Sequence, residues 1–161
     1  MIHQTRPWLG AVPWQTVIDT NQKLYESNKE EERREATSHP MTQRNYEQAQ
    51  ALWERARQKA MTLTEALEQC RQCHDLTPFT FNNSETFAEV AVIMVDELLS
   101  RFSSIEAQIL KNTLRHFVTN NIGEKELKKV LHHLDAHGSG SRAPVNTPAT
   151  VSAVRPQAQA F

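Results

Sequence analysis

Apolar residues recur at helical spacing from Trp14. Val17, Ile18, Leu24 and Tyr25, with Asn21 in phase, continue the i, i+3, i+4, i+7 pattern of one buried stripe. Pro13 suits the first turn of that helix, because its missing N–H is one that a helix start leaves unpaired anyway. From Glu26 the stripe dissolves into the run ESNKEEERREATSH. The spacing therefore predicts a first helix over 13–39 whose distal half is solvated and which ends before Pro40. Glu30 and Arg34 sit one turn apart, a pairing worth only about 0.3–0.5 kcal/mol.

The strongest periodicity follows. Tyr46, Ala49, Trp53, Ala56, Ala60, Leu63, Leu67, Cys70 and His74 alternate in steps of three and four. That heptad seam predicts one long second helix packed along its length on another. Thr62-x-x-Glu65 reads as a capping box that would break it, but the unbroken heptad favours continuity. Alanine at three seam positions buries little area, which favours an intramolecular bundle over a free-standing coiled coil. DLTPFTFNN is a loop with Phe79 and Phe81 as anchors, and Asn83 or Ser84 caps the most apolar segment. There Phe87, Ala91, Met94, Leu98 and Phe102 make one central helical stripe. Ser103-x-x-Glu106 opens a helix with Ile109, Leu110, Leu114, Phe117 and Val118 inward. After a turn at Asn120, Asn121 and Gly123, a last helix carries Leu127, Val130, Leu131 and Leu134 to Gly138. The expected fold class is all-α: a bundle of about five helices with core 42–137, a Trp/Pro loop over 1–12 and a disordered tail over 138–161.

Composition refines this picture. Only 39% of the 161 residues are hydrophobic, and the mean hydropathy is −0.61. The low average fits an ordinary core diluted by a charged half-helix and a polar tail. No run approaches the roughly 18–20 apolar residues that span a bilayer. MIHQTRPWLGAVPWQT has no apolar stretch of a secretory signal, so a soluble, cytoplasmic protein with no membrane partner is expected. The net charge of −1 conceals a gradient: six basic against nine acidic residues over 41–102, but seven against four over 103–161.

Three features bear on chemistry. Cys70-Arg71-Gln72-Cys73-His74 matches the CxxCH pattern of covalent haem attachment, which is disfavoured here because that chemistry belongs to exported chains. Cys70 and Cys73 with His133 and His137 offer soft-metal ligands, a candidate zinc set or a thiol-redox pair. The competing reading makes the cysteines core residues and the histidines solvated helix-end side chains, so no cofactor is expected. Second, residues 104–136 have a helix-turn-helix outline, with Lys125, Lys128, Lys129 and His132 as a basic stripe. Glu124 and Glu126 stand where base-reading side chains belong, so an ordinary helical hairpin is preferred to nucleic-acid binding.

The third feature is an absence. There is no GxGxxG, Walker A, GxSxG, HExxH, Asp-rich calcium loop or Glu-x-x-His pair, and adjacent Asp96 and Glu97 point in different directions on a helix. The resulting expectation is a non-enzymatic interaction module, an adaptor, assembly factor or regulatory subunit that binds another protein or itself. The aromatics of the leading loop are read first as capping the bundle end. Otherwise Trp8, Leu9 and Trp14 form an exposed anchor and, with Glu30, Arg33 and Arg34 on the charged half-helix, are the candidate partner-binding residues.

Overall fold

Helix ends follow local chemistry in the computed structural model, which describes residues 2–28 and 45–137. Those residues form α1 (Trp14–Asn28), α2 (Tyr46–Arg57), α3 (Leu63–Asp75), α4 (Asn83–Met94), α5 (Asp96–Leu99), α6 (Ser104–Val118) and α7 (Glu124–His137). The fold is an all-α bundle, as the periodicity predicts. Among the described residues the count rises from five to seven because two expected continuous helices are broken. No helix among them is long and apolar enough to cross a membrane. The expected tail over 138–161 and residues 29–44 of the charged stretch lie outside the described residues.

The first correction falls within the heptad seam. Thr62 accepts from the Glu65 N–H at 3.1 Å while its own N–H donates to the Glu65 carboxylate at 2.9 Å, so the capping box is complete. What decides the break is tertiary. Met61 exchanges both backbone hydrogen bonds with Arg6, each 2.9 Å, in an antiparallel bridge. A helix running through Met61 would have consumed those groups internally. Ala60, in phase with the seam, is consequently exposed.

The second break is at Val95, whose φ of −107° and ψ of 16° separate α4 from α5. The expected stripe survives the break: Phe87, Ala91, Met94 and Leu98 are all buried. The cap of α4 also differs from expectation. Asn82, in the left-handed region at φ 63°, is the cap residue, and its side chain makes no capping bond. The Asn83 side chain instead clamps the preceding loop, accepting from the Phe79 N–H at 3.0 Å and donating to the Phe79 carbonyl at 2.8 Å. On α6 the box at Ser103 and Glu106 forms as expected. Ile109, however, is 44% exposed rather than inward.

α3 lies at the centre, touching α2, α4, α6 and α7, while α4 packs between α1 and α6. The leading loop belongs to the same core, since Ile2, Trp8, Leu9 and Val12 are buried in it. Trp53 anchors that loop by donating its indole N–H to the Val12 carbonyl at 2.8 Å. Arg57 adds hydrogen bonds to the carbonyls of Leu9 and Gly10 at 3.2 and 2.7 Å. Around Trp53 the rings of Trp14, Tyr46, Phe79 and Phe87 form a cluster with centroids 5.6–6.4 Å apart. Asn21, in phase with the α1 stripe, is fully buried and donates to the Phe81 carbonyl at 2.8 Å and the Thr86 hydroxyl at 3.0 Å.

Two substitutions separate cap from core. Thr62→Ala should cost about 1 kcal/mol, the typical value of an N-cap. Phe87→Ala, at a site with 0% exposure, should cost about 3–5 kcal/mol. Guanidinium unfolding followed by tryptophan fluorescence measures both, and equal losses would contradict the assignment.

Candidate functional site

The two cysteines on α3 point into the core, and both have 0% exposure. The Cys70 thiol lies 3.7 Å from the Phe87 carbonyl, and the Cys73 thiol 3.5 Å from the Ala49 carbonyl. Burial pushes the Cys70 thiol well above its ordinary range and the Cys73 thiol up to about 12. Removing charge-stabilising water disfavours the thiolate, which is the form that attacks disulfides and binds metal.

His133 is exposed on α7, and His137 is the last residue of that helix. Among the described residues no three or more His, Cys, Asp or Glu side chains converge to hold a metal ion. Cys70 and Cys73 are therefore not brought together with His133 as zinc would require, and the side chain of His137 lies outside the described residues.

Of the two readings of the leading loop, burial supports the one in which its aromatics cap the bundle. Trp8, Leu9 and Trp14 are 4%, 1% and 3% exposed, so they are core side chains rather than an exposed anchor. Glu30, Arg33 and Arg34 lie outside the described residues. Lys125, Lys128, Lys129 and His132 do line the outer face of α7. Lys128 is paired with Glu124 at 2.7 Å, so acid is interleaved with the stripe, which lessens its attraction for phosphates.

Two surface features emerge instead. The first is a groove of about 370 Å³ between the leading loop and the end of α4. Pro7, Trp8, Ala11, Ile93 and Met94 supply its apolar lining, with Asp96, Glu97 and Arg6 as its charged members. Ile93 is 41% exposed. The Arg6 guanidinium lies 4.2 Å from the Trp8 ring centroid and 3.8 Å from Glu97. Trp8 Nε1 is buried without a hydrogen-bond partner, an unusual state for a donor.

The second feature is a polar chain where α3 ends. His74 Nδ1 is 3.0 Å from Asp75 Oδ1, and His74 Nε2 is 3.0 Å from Ser84 Oγ in the first turn of α4. Asp75 in turn accepts from Asn120 Nδ2 at 2.7 Å and from Arg71 Nη1 at 3.1 Å. Arg71 is itself held by Glu68 and by Asn120 Oδ1 at 3.0 Å. Burial pushes the Glu68 carboxyl up, but hydrogen bonds from Arg71 and Gln72 and the Arg71 charge bring it below its ordinary value. Glu68 therefore contributes stability above the carboxyl's unfolded pKa, and that contribution is lost as pH falls through its lower folded value. Sequence reasoning missed this chain of contacts. The spacing places His74 on the seam and Ser84 at a helix start, and no motif spans two helices and the α6–α7 turn.

Native protein should alkylate slowly with iodoacetamide at both cysteines, at a rate set by opening of the core, and quickly once guanidinium unfolds it. Prompt modification of one equivalent in the native state would contradict the burial of the pair. In acid titrations, Glu68→Gln should flatten the loss of stability below the ordinary carboxyl pKa, and an unchanged profile would remove Glu68 from that role. Comparison with family models, curated proteins and solved structures finds no match, so what the chain does must be read from its own geometry.

Proposed function

We propose that this chain is a protein-interaction module that receives a segment of another polypeptide in the groove between its leading loop and α4. One observation carries the reading: an open apolar lining, with Ile93 41% exposed, ends at the carboxylates of Asp96 and Glu97. An apolar lining favours a partner's aliphatic or aromatic side chain. The two carboxylates favour a following Lys or Arg, which would share or displace the present Arg6–Glu97 contact. The unpaired Trp8 N–H at the same groove supports a polypeptide occupant, because a backbone carbonyl is an acceptor that could satisfy it.

Selection of random peptides displayed on phage against the full chain tests this. The expected enrichment is an apolar residue followed closely by Lys or Arg. Ile93→Glu and a double Asp96→Lys, Glu97→Lys variant should each weaken the selected peptides at least about tenfold, equivalent to 1.4 kcal/mol. Selected peptides that bind both variants undiminished, or no enrichment at all, would overturn the reading. If a second copy of this chain is the occupant, light scattering would show a concentration-dependent dimer that Ile93→Glu abolishes.

A further inference from the structure

The chain of contacts at the end of α3 has the connectivity of a nucleophile, a base and an orienting carboxylate. A carboxylate oxygen only accepts, so the Asp75 contact at 3.0 Å places the imidazole proton on Nδ1 of His74. Nε2 is left as an acceptor, and the group 3.0 Å from it is the Ser84 hydroxyl. Asp75 is held by Asn120 and Arg71, and the His74 ring stands edge-on to Phe87 with centroids 6.4 Å apart. The base is thus fixed in tautomer and orientation before any substrate arrives.

The backbone at Ser84 is arranged to match. Asn82, at φ 63°, turns the chain sharply into α4, a helix of 12 residues, and supplies no capping side chain. The N–H groups of Ser84 and Glu85 in that first turn stand at the positive end of the helix. A sharp turn that presents a serine at a helix start, beside a histidine backed by a carboxylate, serves acyl transfer on unrelated folds. Here the parts come from two helices and a distant turn, so no local motif announces them.

We propose that Ser84, His74 and Asp75 form a hydrolytic triad that cleaves small carboxylic esters. Ser84 Oγ attacks the ester carbonyl carbon as its proton passes to His74 Nε2. The tetrahedral oxyanion is met by the Ser84 and Glu85 N–H groups. Collapse breaks the carbon–oxygen bond to the alcohol, which takes the proton back from His74 and leaves, with the acyl group now on Ser84. Water then attacks the acyl-serine, giving its proton to His74. The carboxylic acid is released and Ser84 regains its proton, so ester plus water becomes acid plus alcohol. Asp75 is a positioning residue that also stabilises the imidazolium, and Arg71 and Asn120 act through it. Ser84 and Glu85 are exposed, and the Glu85 carboxylate beside the nucleophile favours neutral esters over anionic ones. This activity is independent of the groove beside Trp8, which involves none of the same residues.

A purely bracing role for these contacts, tying α3 to α4 and to the α6–α7 turn, predicts different behaviour. It makes Ser84→Ala a change in stability alone. The test uses the full chain with a fluorophosphonate probe and, separately, p-nitrophenyl acetate. Expected are a single phosphonyl adduct mapped to Ser84 by mass spectrometry, its absence in Ser84→Ala, and labelling at least about tenfold slower in Asp75→Asn, where the carboxylate is lost. Hydrolysis of p-nitrophenyl acetate should show an acyl-enzyme burst that disappears in Ser84→Ala. No adduct on Ser84, or labelling unchanged in Asp75→Asn, would overturn the proposal. So would ester hydrolysis undiminished in Ser84→Ala, which would assign the reaction to surface imidazole.

Discussion

Burial of the Trp53 indole, with its N–H donated to the Val12 carbonyl at 2.8 Å, is the constraint on which the other packing depends. A buried tryptophan removes on the order of 150–250 Å² from water, worth about 4–6 kcal/mol at the usual coefficient. That gain is available only if the indole N–H finds an acceptor, because a buried donor left unpaired costs about 1–3 kcal/mol. Val12 lies 41 residues away in a loop with no helical partner of its own. This bond, with the two that Arg57 makes to the Leu9 and Gly10 carbonyls, ties the leading loop to α2, and the rings of Trp14 and Phe87 pack against the same indole. With the loop held there, Arg6 reaches Met61 and interrupts the seam.

The two surface features stand in contrast to the interior around Trp53, although Asn21 Oδ1 is also buried without a partner. Around Trp53 almost every polar group has a partner, and the cysteines are neutralised by burial. Beside Trp8 a buried donor has none, and the neighbouring groove is open. At the end of α3 the polar groups are all engaged, but with one another at the surface and in an order that sets a proton acceptor against a hydroxyl. The groove borrows Trp8 and Met94 from the core's edge, whereas the polar line is made of half-buried and exposed side chains.

Much of the fold was legible from spacing, and the misses have local physical reasons. The α1 stripe, the capping box at Ser103, the anchors Phe79 and Phe81, and the α6–α7 hairpin follow from periodicity and cap chemistry within a dozen residues. The α2–α3 break was half legible. Thr62 and Glu65 announce it, but the heptad runs through it in phase, so hydrophobic spacing alone cannot locate the turn. Asn83 was mistaken for a cap because a side-chain amide serves a helix start or a preceding loop equally well. The cysteines fit a ligand and a core position equally by spacing, and only the packing shows their thiols turned into the core.

The amino-acid order by itself determined the helices, their buried faces and the absence of a membrane-length apolar helix among the described residues, because those depend on neighbours three and four positions apart. Tertiary structure alone decided that Trp8 is enclosed, that Met61 pairs with Arg6, and that His74, Asp75, Ser84 and Asn120 meet. The physical reason is reach. A helical period records which face is apolar but not what will cover it. A hydrogen bond between side chains 45 residues apart, as from Asn120 to Asp75, exists only once the packing of α3 against α6 has brought them within 3 Å.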